Sequence, residues 1–386
     1  MTKLGTRLLI MGAMLFGLPL VGVVLAGHAA GPYLQFPPLT RDVSHAPFSW
    51  IAFAAVAGVV VLFVTPFVRQ CYRCRTEAES VAPVGVFPWW GWSAAVLGAV
   101  AWVIAWNRFV VFDRVQLHMF TPLWLAFIVV INALTARRIG RCMMMNRPVY
   151  FLSLFPVSAA FWWFFEYLNR FVQNWYYAAA TLSVSGIEYV LYATLPFSTV
   201  LPAVLGTREL LGTYPAVDAA FSSYRPVSMH RPKAWAAACL AVASAGLAGI
   251  GVWPDLLFPM VWVSPLLIIV SLNVLFGEAS LLREVANGDW RRVVTAATAG
   301  LVCGLFWEMW NVNSLAHWVY SIPFVHGFKI FEMPVLGYAG YLPFGVACLA
   351  IGDLVQSAVR VRRSAKASEP ESDVLWTTGL RDMEGT

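Results

Sequence analysis

The sequence predicts an all-α, polytopic membrane helix bundle of about ten transmembrane helices, arranged 2+4+4 around a parallel internal duplication. Three observations carry this: a strongly apolar composition, ten apolar stretches of spanning length, and a lopsided placement of lysine and arginine between them. The chain is 60% hydrophobic and 12% charged, against roughly 45–50% and roughly 25% in soluble domains. Its own polar groups cannot cover that much apolar surface, so lipid has to solvate it. The net charge of +6 is spread between apolar blocks, not gathered in a patch. It reads as a topology signal and gives no support to a nucleic-acid partner.

A bilayer core takes about 20 mainly apolar helical residues. Residues 1–75 supply an N-terminal hairpin whose helices start near Leu8 and Phe48. Lys3 and Arg7 ahead of an apolar run resemble a signal peptide. The run from Leu8 to Ala26 is nevertheless longer than a signal core of roughly 7–15 residues, so it is read as a spanning helix, with cleavage as the alternative. Starts near Pro88, Met119, Val149 and Ile187 fill residues 88–206, and residues 207–233 form a cytoplasmic linker. Starts near Ala234, Met260, Val293 and Pro334 fill residues 234–357. The polar stretch 358–386 is predicted to be a disordered cytoplasmic tail. With the N-terminus inside, alternation places 21 of the 26 lysines and arginines on the inner side and leaves Arg41, Arg108, Arg114, Arg170 and Lys329 outside. The positive-inside rule asks for this. It predicts a cell (inner) membrane protein with both termini cytoplasmic.

The duplication has a period near 143 residues. Phe164-Phe165-Glu166-Tyr167-Leu168-Asn169 aligns with Phe306-Trp307-Glu308-Met309-Trp310-Asn311, and Leu195-Pro196-Phe197 with Leu342-Pro343-Phe344. Asn132 matches Asn273, and Glu188 matches Glu332. Each copy holds four helices, an even number, so both enter the membrane from the same side, as parallel repeats do.

Chemistry is predicted where the copies meet. A carboxylate at a helix centre in a bilayer costs about 2.5–3.5 kcal/mol, so such residues face a bundle interior or a cavity. Glu166 and Glu308 lie near helix ends, where the macrodipole disfavours them. Asn169 and Asn311 follow three residues on, on the same helical face. These four are the predicted catalytic residues, with the asparagines orienting the acids. The competing structural reading is a hydrogen-bond network that joins the repeats. Glu188 and Glu332 are secondary acids placed at helix starts, where capping alone explains them. Trp163, Trp307, Trp310, Tyr177 and Tyr320 are predicted substrate-binding aromatics, with an interfacial belt as their alternative role. Cys71 and Cys74 form a lone C-x-x-C without the partners of a zinc or redox site, and Cys239, Cys303 and Cys348 read as packing residues. His317 and His326 have no paired ligand pattern, so no metal is expected, and no motif points to a cofactor.

A carboxyl group in apolar surroundings can act as a general acid, and aromatic faces stabilise cations. Together they suit protonation of an isoprenoid double bond or epoxide, followed by cyclisation or rearrangement. In architecture, the last 270 or so residues resemble the membrane-embedded lycopene-cyclase domains and related transmembrane terpene cyclases. Those carry a proline shortly before paired acids, whereas here Pro334 follows the single acid Glu332. The resemblance implies an isoprenoid-like lipid substrate and an acid-initiated cyclase or isomerase. The alternatives are a transporter, or a lipid-binding or structural subunit, using the same interface of repeats.

Overall fold

The computed structural model describes residues 3–38, 40–75, 82–178, 186–278 and 281–368. Eleven helices organise it. They are α1 (Lys3–Leu25), α2 (Trp50–Cys74), α3 (Trp89–Trp106), α4 (Phe120–Ile139), α5 (Pro148–Val172), α6 (Gly186–Phe197), α7 (Val200–Leu211), α8 (Pro232–Gly249), α9 (Met260–Leu275), α10 (Arg291–Asn311) and α11 (Tyr341–Ser368). Strands β1 (Trp175–Ala178) and β2 (His317–Tyr320) pair antiparallel, and β3 (Lys329–Ile330) and β4 (Met333–Pro334) form a tight hairpin.

Among the described residues, eight helical segments are long and apolar enough to cross a membrane, with α6 and α7 together counted as one. The ten predicted starts all fall at or close to a helix start, or for Pro334 at the turn leading into α11. Two of these helices do not meet the spanning criterion: α9 is apolar but has 16 residues, and α8 has 18 with Lys233 in its first turn. At about 1.5 Å per residue, α9 reaches about 24 Å, short of a roughly 30 Å core. Two further expectations are corrected. The helix of the last span continues to Ser368, into the stretch predicted as tail, while residues 369–386 lie outside the described residues. Glu332 does not begin a helix: it sits in the β3–β4 turn beside Phe331, whose φ is 56°, and pairs with Lys329 at 3.5 Å.

Local chemistry sets the boundaries. Ser49 caps α2 by accepting from the Ala52 amide. Gly140, with φ 71°, ends α4 in the left-handed conformation, and Pro148 opens α5 at a position that needs no amide hydrogen. The break between α6 and α7 is repaired from outside. The buried Ser158 hydroxyl of α5 donates to the Phe197 carbonyl (2.6 Å) and accepts from the Leu201 amide (3.0 Å). Irregular backbone at membrane depth survives only with such partners.

Helix α7 lies at the centre, against α4, α5, α10 and α11, and residues 200–206 are all buried. Helix α3 pairs with α4, α8 with α9, and α10 with α11, while α5 crosses to α11 and α7 crosses to α10. Close backbone approach makes the α10–α11 pairing possible. A Cβ on Gly300 would stand 2.3 Å from the Tyr341 carbonyl oxygen, and one on Gly345 would stand 2.1 Å from the Ala296 carbonyl oxygen. Helix α1 packs on α8 and α9. Its Arg7 is buried 3.6 Å from Glu278.

Helix α2 is different: none of its apolar window is buried. It is pinned at its ends. The Ser49 amide donates to the Phe324 carbonyl at one end, and Gln70 Nε2 donates to the Ala220 carbonyl at the other. Its middle stands off from the bundle and closes one side of a cavity.

Candidate functional site

Helices α5 and α10 each bring one glutamate into the interior, with Glu166 1% and Glu308 0% exposed. Glu166 Oε1 accepts three hydrogen bonds, from Trp162 Nε1 (3.0 Å), Trp175 Nε1 (3.1 Å) and the Tyr177 hydroxyl (2.6 Å). Glu308 Oε1 accepts from the Tyr320 hydroxyl (2.7 Å) and the Tyr341 hydroxyl (2.6 Å), and Trp318 Nε1 donates to Tyr320 in turn (2.8 Å). Oε2 of each carboxyl has no hydrogen-bond donor among the described residues, and neither carboxyl is in an ion pair there. A buried carboxyl without a cation and with one bare oxygen is expensive to keep.

The asparagines do not touch the acids. Asn169 Nδ2 donates to the Trp175 carbonyl (2.7 Å), and its Oδ1 accepts from the amides of Asn174 (2.8 Å) and Trp175 (3.3 Å). Asn311 repeats this on Trp318, donating to its carbonyl and accepting from its amide, both at 2.8 Å. The predicted orienting role therefore moves from the carboxyls to their donors: each asparagine fixes the strand whose aromatic side chains bind the glutamate. In the β1–β2 register, Trp175 lies opposite Tyr320 and Tyr177 opposite Trp318. The two donor sets thus share one ribbon. Burial, and next the adjacent glutamates, push the Tyr177 and Tyr320 phenols well above their ordinary range, so they stay protonated.

These donors form the wall of a cavity of about 570 Å³, within the roughly 300–1,000 Å³ of small-molecule sites. Trp162, Trp175, Tyr177, Trp307, Trp318, Tyr320 and Tyr341 line it together with Trp262 of α9, Tyr189 and Tyr192 of α6, and Ala52, Val56, Val59 and Val60 of α2. Glu166 and Glu308 stand behind this wall and do not line it. Of the predicted aromatics, Tyr177, Tyr320 and Trp307 line the cavity. Trp163 instead donates to Thr194 (3.0 Å), and Trp310 packs among Trp102, Trp124 and Phe127. Glu188, exposed in the first turn of α6, and Glu332 lie off the wall.

Sequence reasoning missed Trp162, Trp175, Trp262, Trp318 and Tyr341. Three had a signal: Trp162 is one helical turn before Glu166, and Trp175 and Trp318 are spaced as Tyr177 and Tyr320 are, 143 residues apart. Tyr341 had none. In the aligned segment Gly304 stands where Trp162 does, and the Tyr341 ring lies over it, 2.3 Å from where a Gly304 Cβ would stand. Also unpredicted are two ion pairs at the far end, Arg147–Glu209 (2.8 Å) and Arg292–Asp353, whose members lie 145 and 144 residues apart. Among the described residues Cys71 and Cys74 form no disulfide; Gln70 Nε2 donates to Cys74 Sγ (3.4 Å), and Cys74 packs beside Phe221. No group of histidine, cysteine, aspartate or glutamate among the described residues could hold a metal ion. No family model, no curated protein and no solved structure matches this chain.

Proposed function

We propose that the chain is a ten-span membrane protein, 2+4+4, with both termini cytoplasmic, that cyclises or isomerises an isoprenoid-like lipid in the aromatic cavity between its two repeats. The observation that carries this is the convergence of two glutamate-anchored tyrosine sets, one from each copy, on a single apolar wall. The matched helix pairings α3–α4 with α8–α9, and the matched asparagine hooks, support the duplication. They favour counting α8 and α9 as the first two helices of the second copy. The architectural resemblance to lycopene-cyclase domains suggests the substrate class.

In this reading, lipid binding reverses the hydrogen bond between a tyrosine and its neutral glutamate, so that the phenol points to the lipid and the carboxyl donates to the phenol oxygen. The hydroxyl then gives its proton to a double bond of the lipid while the glutamate passes a proton to the phenol oxygen. The lipid becomes a carbocation and the glutamate a carboxylate. Ring closure or rearrangement follows, with the cation held against tryptophan and tyrosine faces. Loss of a proton from a neighbouring carbon to the phenol, and from the phenol to the carboxylate, restores the site. The step is a net isomerisation and needs no co-reactant. The apolar wall excludes the water that would otherwise quench the cation.

General acids contribute about 10²–10⁴-fold to rate. Protein in vesicles supplied with a membrane lipid extract is expected to produce an isomeric lipid, and Glu166→Gln or Glu308→Gln to slow its appearance by at least about 100-fold. Unchanged conversion by both variants would refute acid catalysis. Because the carboxyls stand behind the wall, a second reading is a lipid carrier or binding protein in which they hold the wall in shape. That protein would take up lipid and leave it chemically unaltered.

A further inference from the structure

We propose that the lipid in this cavity carries a hydroxyl head, held by Asn174 at the end of the bundle where the strands lie. The proposal rests on the reading of the cavity as a lipid site. Asn174 follows Gln173, whose left-handed backbone (φ 52°) ends α5 and turns the chain toward β1. The residue is 4% exposed and lines the cavity. Its amide orientation is fixed from the protein side: Nδ2 donates to the Ser321 carbonyl at 3.3 Å, where a flipped amide would set two acceptors face to face. Oδ1 is then buried with no donor among the described residues. A buried acceptor without a donor is costly, and a ligand that brings an O–H or N–H relieves that cost.

The surroundings favour a neutral hydroxyl over an ammonium. Asp255 is the one carboxyl on the described wall, and it is already engaged, with His45 Nδ1 at 2.6 Å and the Ala46 amide at 2.9 Å. His45 also reaches the Gln173 carbonyl at 3.2 Å, which ties Asp255 to the turn that carries Asn174. A head seated at this end leaves the rest of the apolar wall, including the stand-off of α2, for the chain.

Geranylgeraniol and its methyl ether share a chain and differ in the head donor. Binding of each to the full-length protein in detergent can be read by native mass spectrometry. The alcohol is expected to bind about tenfold more tightly than the ether, the scale of one buried hydrogen bond. Asn174→Leu and the less branched Asn174→Met are both expected to remove that preference. They should leave ether affinity within about twofold, which also shows that the variant site is intact. Equal affinity of the unaltered protein for alcohol and ether overturns the hydroxyl assignment and leaves the lipid cavity standing. A preference that survives both substitutions overturns the role of Asn174. No binding of either compound overturns the lipid reading itself.

Discussion

Glu308 holds two phenol hydroxyls on one carboxyl oxygen, and Glu166 holds one phenol and two indoles on one of its own. An amide oxygen can accept the same bonds, so glutamine keeps the geometry and removes only the ionisable proton. Leucine removes the acceptor and strands every donor, at about 1–3 kcal/mol for each buried group left unpaired. Glu308→Leu is therefore expected to lower the melting temperature in detergent far more than Glu308→Gln, and equal melting temperatures would contradict the network. The acids were legible in the sequence because a carboxyl inside an apolar helix is costly and the aligned segments around Glu166 and Glu308 show it twice. Their partners were less so. Nothing in the spacing of Tyr341 says that it fills the space over Gly304, since that contact joins two helices. Glu332 was misplaced because an acid shortly before a proline resembles a helix start, whereas the backbone at Phe331 turns left-handed and closes a hairpin.

Among the elements, the β1–β2 ribbon and the α10–α11 crossing position the donors. The ribbon hangs from Asn169 and Asn311 through backbone bonds. Asn311→Ala frees the Trp318 amide and carbonyl, and faster hydrogen exchange at residues 317–320 is the expected result. Unchanged protection would show that the asparagine is dispensable. At the crossing, Gly304→Ala places a methyl group against the Tyr341 ring. Overpacking of this kind costs about 1–3 kcal/mol, and here it also displaces a donor of Glu308. A stability loss with no change in tyrosine environment, read by ultraviolet absorbance, would contradict that coupling. Helix positions were legible because spanning helices have a length and composition of their own. The strands of the ribbon were not legible, because strands of four residues leave no periodicity to detect.

For the whole molecule, the proposed topology rests on charge bias and on the aligned segments, and the stand-off of α2 gives the cavity an apolar outer wall. A membrane-impermeant maleimide tests the topology. Arg41→Cys is expected to label in intact cells, and the native exposed Cys71 only after permeabilisation. Labelling of both in intact cells would contradict the assigned orientation. The cavity itself could not be read from sequence, because its walls come from α2, α5, α6, α9, α10, α11 and both central strands. Only packing brings those distant segments together. If the two repeats enclose a lipid on which the glutamates act, the lipids that co-purify with the protein carry the record of that action. Mass spectrometry is predicted to find one lipid class enriched over the bulk membrane in both the native protein and the Glu166→Gln, Glu308→Gln double variant. In the variant, that class should be shifted from product to its isomeric precursor. The same lipid species in both, or no enrichment over the bulk membrane in either, would contradict it.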